Sequence, residues 1–351
     1  MWTISQSSLR LLLRPSPSHG QVLRHLQNNG GSSRSGGRLR AYRVRPKQRA
    51  GAGSGSVEGI NASEAAELRV PQVDRSAFQM WKPTLFAVGF GGCCYVGAAI
   101  WEYEHKRRQA DYLFNPKRWS FENNRQKIGE FRREINSWWA VRTRGEKVFF
   151  TIAGLNGLVF LAWHVPVLRR TMIRYFTSSF YGEKLCLPMV LSTFSHYSFL
   201  HLAINMYVLW SFSGRLIDHM MGAEHYVGFY LTAGIFASLA GFAHRALFRL
   251  PTYALGASGA ILGVLTYTCT RVPDAQLSII FLPFFTFSAQ SALVGIVAFD
   301  AIGLLLRWKL FDHAAHLGGS LIGIWYGYYG EKMLWTQRHK VVDEYKEITG
   351  R

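Results

Sequence analysis

Uncharged apolar stretches and polar stretches alternate along this chain on the scale of a lipid bilayer. Residues 83–101 carry no charge over 19 positions, close to the ~20 that a helix needs to cross a hydrocarbon core. Residues 102–147 are charge-rich, with Trp119, Phe121, Phe131, Trp138 and Trp139 scattered among the charges; they predict a surface-lying segment with helical pieces. From Val148 the apolar stretches crowd together, and residues 148–165, 189–217, 226–243, 254–270, 289–306 and 314–329 predict six more spans. A basic, aromatic loop, 166–188, separates the first two of these. Residues 277–287 are apolar but interrupted by Pro283 and read as an interfacial loop. The pattern predicts an all-α membrane protein: one extra transmembrane helix (83–101), a polar juxtamembrane linker (102–147), a six-helix transmembrane bundle (148–329) and a short charged tail (330–351).

Composition agrees with that picture. Charged residues are 17% of the 351 residues and hydrophobic residues 49%, where a soluble domain has about 25% charge. The net charge of +19 is unevenly placed. Residues 1–57 contain no Asp or Glu, yet they hold Arg10, Arg14, Arg24, Arg34, Arg38, Arg40, Arg43, Arg45, Lys47 and Arg49. Trp2, Ile4, Leu9, Leu11, Leu12 and Leu13 interleave with the first of these bases. An Arg- and Ser-rich, acid-free, amphipathic start predicts a mitochondrial transit peptide over residues 1–50 rather than a nucleic-acid surface. A Gly/Ser-rich linker and a loosely ordered segment, 51–82, follow it. Cys93, Cys94, Cys186 and Cys269 form neither a disulfide framework nor a zinc pattern, and the histidines lack the H-E-x-x-H spacing, so no metal or cofactor is expected.

Polar side chains inside apolar spans are costly and therefore informative. Ser258 stands among small residues, Leu255-Gly256-Ala257-Ser258-Gly259, where the fifth stretch of the bundle opens. His316 stands in an equally small-faced stretch, Ala314-Ala315-His316-Leu317-Gly318-Gly319. A serine and a histidine so placed predict a nucleophile and its general base. His201 and Asn205, four apart, share one helical face; with the backbone N–H of Ser258 they are candidates to stabilise an oxyanion. His196 falls at the loop end of the same segment. Gly259 and Gly263 lie one turn apart, as do Gly319 and Gly323. Such small-xxx-small faces let two helices touch and would bring Ser258 to His316. Asp300, a lone acid within a span, is expected to hydrogen-bond a neighbouring helix or cavity water, and His313 to lie at the mouth of the last span.

Gly256-Ala257-Ser258-Gly259, His316-Leu317-Gly318-Gly319-Ser320-Leu321-Ile322-Gly323 and the series His196, His201, Asn205 resemble the rhomboid intramembrane serine proteases. The extra span, the leader and the stretch Phe311-Asp312-His313-Ala314-Ala315-His316 resemble the mitochondrial, presenilins-associated rhomboid-like subgroup. The resemblance covers residues 146–335 strongly. It implies a Ser258–His316 dyad without a third acid, and an oxyanion site with His201 and Asn205 and with His196 close by. It also implies cleavage of single-span membrane proteins in the mitochondrial inner membrane, in quality control, membrane dynamics and apoptosis. Two positions depart from the common pattern. Leu262 stands where many rhomboids stack a Tyr on the histidine, and the Trp-Arg pair of the first core loop is absent from 166–188.

Three other readings compete. A non-catalytic rhomboid-like binding protein for membrane clients would usually lack one or both of Ser258 and His316. A transporter would show matching broken helices in two halves, and no such repeat is visible. A soluble hydrolase would present G-x-S-x-G after a strand, whereas Ala260 replaces the second Gly and no strand pattern precedes it. Basic residues divide almost evenly between the two sides, so their count does not orient the bundle. Import by a leader favours an N-terminus that starts in the matrix, with the site opening to that side. The expected partners are single-span substrates and the lipid bilayer, with no nucleic acid, and the oligomeric state is open.

Overall fold

A computed structural model of the chain describes residues 73–114, 129–279, 282–308 and 311–350, all within one compact unit, 53–351. The expected transit peptide and the Gly/Ser linker up to residue 72 lie outside the described residues.

The extra apolar stretch forms α1 (Trp81–Phe114). It does not stop at Trp101, because the polar residues beyond are good helix formers and continue it to Phe114. A short amphipathic helix, α2 (Glu130–Ala140), follows, and its Trp138 ring lies 5.2 Å from that of Phe150 in the next helix. Thr143 then starts α3 (Arg144–Trp163) through a reciprocal capping box with Glu146. The expected loop 166–188 is partly helical: it contains α4 (Arg169–Tyr175) and the start of α5 (Cys186–Leu191).

The third core stretch, 189–217, is not one helix as the sequence predicted. Helix α5 ends in a 3-10 turn at Ser192–Phe194, and the chain re-enters helix only at α6 (Phe199–Leu216), capped by Ser198. Polar and aromatic residues in Ser195-His196-Tyr197-Ser198 compete with helical hydrogen bonds. Trp163 Nε1 donates to Ser195 Oγ at 2.8 Å and fixes the break.

Helix α7 (Ala223–Phe248) is the centre of the bundle. Tyr226, Tyr230, Ala233 and Phe242 on it are wholly buried. It packs against α1 on one flank and against α8 (Ser258–Arg271) and α10 (His313–Trp325) on the other. Gly228 makes the α1 contact narrow, since a Cβ there would lie 3.0 Å from Ala98 Cβ.

Between α8 and α9 (Ala289–Leu305) lies a correction to the all-α expectation. Residues 277–287 are not an open loop; strands β1 (Gln276–Ile279) and β2 (Leu282–Ser288) pair as an antiparallel hairpin. The β-branched and aromatic residues there favour extended chain. Pro283, which cannot donate to a ladder, falls where the register shifts between Ser278 and Ile279.

Three helical segments, Ala77–Phe114, Arg144–Trp163 and Ala223–Phe248, are long and apolar enough by length and composition to cross a membrane, and Ala289–Leu305 is apolar but shorter. Helices α8 and α10 have 14 and 13 residues, or about 20 Å each at 1.5 Å per residue. The chain ends in α11 (His339–Thr349), which the charged tail had not predicted. Arg338 just before it donates to Glu102 at 2.5 Å, and Tyr345 on it donates to Glu104 at 3.1 Å, so it lies along the polar half of α1.

Candidate active site

Ser258 is the first residue of α8. The chain reaches it through a short extended segment held at two points. Ala254 exchanges both backbone hydrogen bonds with Ser178, at 2.7 and 2.9 Å, and Gly256 N donates to Ser192 O at 3.0 Å. Gly256 has φ of 135°, a conformation that glycine alone adopts readily. A Cβ there would also lie 2.8 Å from the His201 ring. Backbone and ring thus approach closely just ahead of the serine.

His316 sits one turn into α10. Asp312 caps that helix, accepting from Ala315 N at 3.3 Å, and is itself paired with Arg245 from the last turn of α7 at 2.6 Å. Burial works against charge on Asp312, but the charge and hydrogen bond of Arg245 outweigh it and hold the carboxyl below the ordinary carboxylate range. Neither partner stood out in the sequence as part of a site. Asp at a helix start is a recognisable cap; nothing in the spacing links it to Arg245.

Helices α8 and α10 meet main chain to main chain. A Cβ on Gly319 would overlap the carbonyl oxygen of Gly259, and one on Gly323 would overlap that of Gly263. Thr266 Oγ1 donates across the same seam to Ser320 O at 3.0 Å. On the other side of α8, Cβ atoms on Gly259 and Gly263 would lie 2.5 and 2.7 Å from Ala237 and Ala233 of α7. Ser258 Oγ and His316 Nε2 stand 2.7 Å apart across this seam. The hydroxyl can donate to Nε2, which leaves the imidazole proton on Nδ1.

That Nδ1 points to an acid. Asp300 of α9 is 2% exposed, and its Oδ1 lies 3.4 Å from His316 Nδ1. The same oxygen is 2.8 Å from Nδ1 of His313. The expected pair without an acid therefore has one beside it. Asp300 does meet a neighbouring helix, and His313 is the first residue of the last span's helix, as expected, though only 3% exposed. With Leu262 in the position of a stacking Tyr, Phe311 lies beside His316 at 5.9 Å between ring centroids.

The remaining candidates line the other wall. His196 in the break before α6 accepts from Ala257 N at 3.4 Å. Its ring stands 4.8 Å from that of His201. Asn205 is buried, and its amide donates back to His201 O at 2.9 Å. A cavity of about 30 Å³ opens beside the pair, bordered by Ser258, His316, Ser178, Ser192 and Ser238. That volume holds about one water, and its hydroxyl lining suits a polar occupant. Among the described residues no cluster of His, Cys, Asp or Glu could hold a metal ion.

The rhomboid domain signature matches residues 184–332. The chain is 44% identical over 289 residues to the Homo sapiens protein named "Presenilin-associated rhomboid-like protein, mitochondrial", covering 80% of this chain and 76% of that one. It is 46% identical over 269 residues to the Mus musculus protein of the same name, covering 76% and 71%. It is 35% identical over 201 residues to "Rhomboid protein 1, mitochondrial" of Saccharomyces cerevisiae, covering 57% and 58%.

Proposed function

This chain belongs to the rhomboid family, and from that premise we propose that it is an intramembrane serine endopeptidase. The carrying observation is the 2.7 Å contact between Ser258 Oγ and His316 Nε2. In this reading His316 Nε2 takes the Ser258 proton as Oγ attacks a scissile carbonyl. The resulting imidazolium then gives that proton to the leaving amine. Asp300, beside Nδ1, favours the charged ring in between. The backbone N–H of Ser258, with His201 and Asn205, is aimed at the oxyanion, and His196 steadies the turn that carries that N–H.

Single-span membrane proteins are the proposed substrates, since the pair lies within a bundle of apolar helices. The bundle is proposed to be the rhomboid six-helix core with α1 as an extra span. The inner mitochondrial membrane is the proposed site, from the acid-free basic leader and from the relatives named mitochondrial. The roles expected there are in quality control, membrane dynamics and apoptosis.

Purified protein in proteoliposomes should cleave a single-span substrate and should react with a fluorophosphonate at Ser258. Ser258→Ala and His316→Ala should each abolish cleavage, and the double variant should be no worse, because groups that act as a unit are non-additive. Near-normal turnover by His316→Ala would defeat the reading. A non-catalytic binding protein would instead retain client capture with no cleavage by the unaltered chain.

A further inference from the structure

Beside the reacting pair sits a buried group with no task in the chemistry above, His313. Its ring closes against Gly303 of α9, where a Cβ would lie 2.5 Å from it. Phe299, Trp308 and Phe311 surround it at 5.5, 6.0 and 5.9 Å between ring centroids. Nδ1 meets Asp300 Oδ1 at 2.8 Å, and Nε2 has no hydrogen-bond partner among the described residues. A neutral imidazole has one donor and one acceptor nitrogen. With Nδ1 against a carboxylate and Nε2 among aromatic rings, the proton belongs on Nδ1. One carboxylate oxygen is thus shared by two histidines, and the closer of them is not the one that meets Ser258.

We propose that His313 is a positioning residue, whose Nδ1–H holds the Asp300 carboxylate aimed at His316. The proposal rests on the protease reading. A carboxylate as buried as Asp300 is costly unless hydrogen bonds satisfy it. Deprived of the donor on His313, the Asp300 carboxylate loses the hydrogen bond that fixes its direction and turns toward another donor. A carboxylate turned away from His316 no longer favours the imidazolium that His316 becomes when it accepts the Ser258 proton. His313 and His316 are three apart on α10, so one helix presents both rings to the same acid. His316 also faces Ser258 of α8, His201 of α6 and Asp312, whose charge is matched by Arg245 of α7; substitutions at His313 leave all of these in place.

The test is the pH dependence of kcat/KM for full-length protein in proteoliposomes, with three variants. His313→Asn puts an amide donor where Nδ1 stands, His313→Gln puts it where Nε2 stands, and His313→Leu has none. His313→Asn should stay near the unaltered rate. His313→Gln and His313→Leu should fall by roughly 10²-fold, the usual penalty for a misplaced reacting group. Their acid limb should move to lower pH, because His316 then takes a proton less readily. Equal rates for the Asn and Gln variants, or falls with an unmoved acid limb, would overturn the proposal. If His313→Leu does not fold, the Asn–Gln contrast decides alone. Absence of both cleavage and fluorophosphonate labelling in the unaltered protein would overturn the protease reading itself; normal cleavage by His313→Gln overturns only the role of His313.

Discussion

Arg245 Nη2 donates to Asp312 Oδ2 at 2.6 Å, with the two side chains 6% and 16% exposed, so the end of α7 is tied to the cap of the helix that carries His316. Removing one partner of a buried pair leaves the other uncompensated, at about 3–5 kcal/mol. Arg245→Leu should therefore lower thermal stability in detergent by that order, and Arg245→Leu with Asp312→Leu should recover part of it. The pair also predicts an acid limit. The folded Asp312 carboxyl lies below its ordinary value of about 3.9, so the unfolded chain binds its proton first as pH falls. The stability from the pair is fully present above that value and is lost as pH drops through the folded one. Asp312→Asn should flatten this part of the stability profile; an unchanged acid slope would show that Asp312 does not govern it.

Asn205 supplies a second expectation. Its amide donates to His201 O at 2.9 Å, and under the protease reading its second N–H serves the oxyanion. Asn205→Ala should lower kcat by about 10²–10³-fold with little change in KM, the usual effect of losing one such donor. An unfolded Asn205→Ala protein with unchanged activity per folded molecule would make Asn205 a structural link alone.

The seam between α8 and α10 supplies the third. A Cβ on Gly323 would overlap both Gly263 O and Thr266 Oγ1. Gly323→Leu must part the helices, and a displacement of about 1 Å at a reacting pair costs about 10²-fold in rate. Ile324→Leu, on another face, should be nearly silent. Cleavage assays on both, in detergent, test this: an active Gly323→Leu enzyme would mean that the seam does not set the distance between Ser258 and His316.

Much of this was legible beforehand, for physical reasons. Period and hydropathy gave the order of the helices, since apolar stretches must be buried or face lipid. Ser258 and His316 stood out because polar groups are rare in such stretches, and the glycines marked where helices could touch. The hairpin at 276–288 was hidden, because a short apolar run does not reveal whether the backbone is helical or extended; the break at 195–198 was half visible, since its polar residues put His196 at a loop end but did not show the 3-10 turn before it. Arg245–Asp312 and Asp300–His313 were hidden for another reason. Each joins residues from separate helices, and only the packing of α7, α9 and α10 brings them together.

Helix α1 has 34 residues, about 51 Å at 1.5 Å per residue, and it lies along the outer flank of α7 while α8 and α10 lie along the inner one. Two thicknesses of helix therefore stand between the serine and the outside of the bundle on that side. Under the protease reading, a membrane-embedded client arriving there meets a closed wall, and its route to Ser258 must be sought on the opposite side of the barrel of helices. Truncating the chain before α3 would strip one layer of that wall and uncover α7, so the extra helix gives the bundle a front and a back.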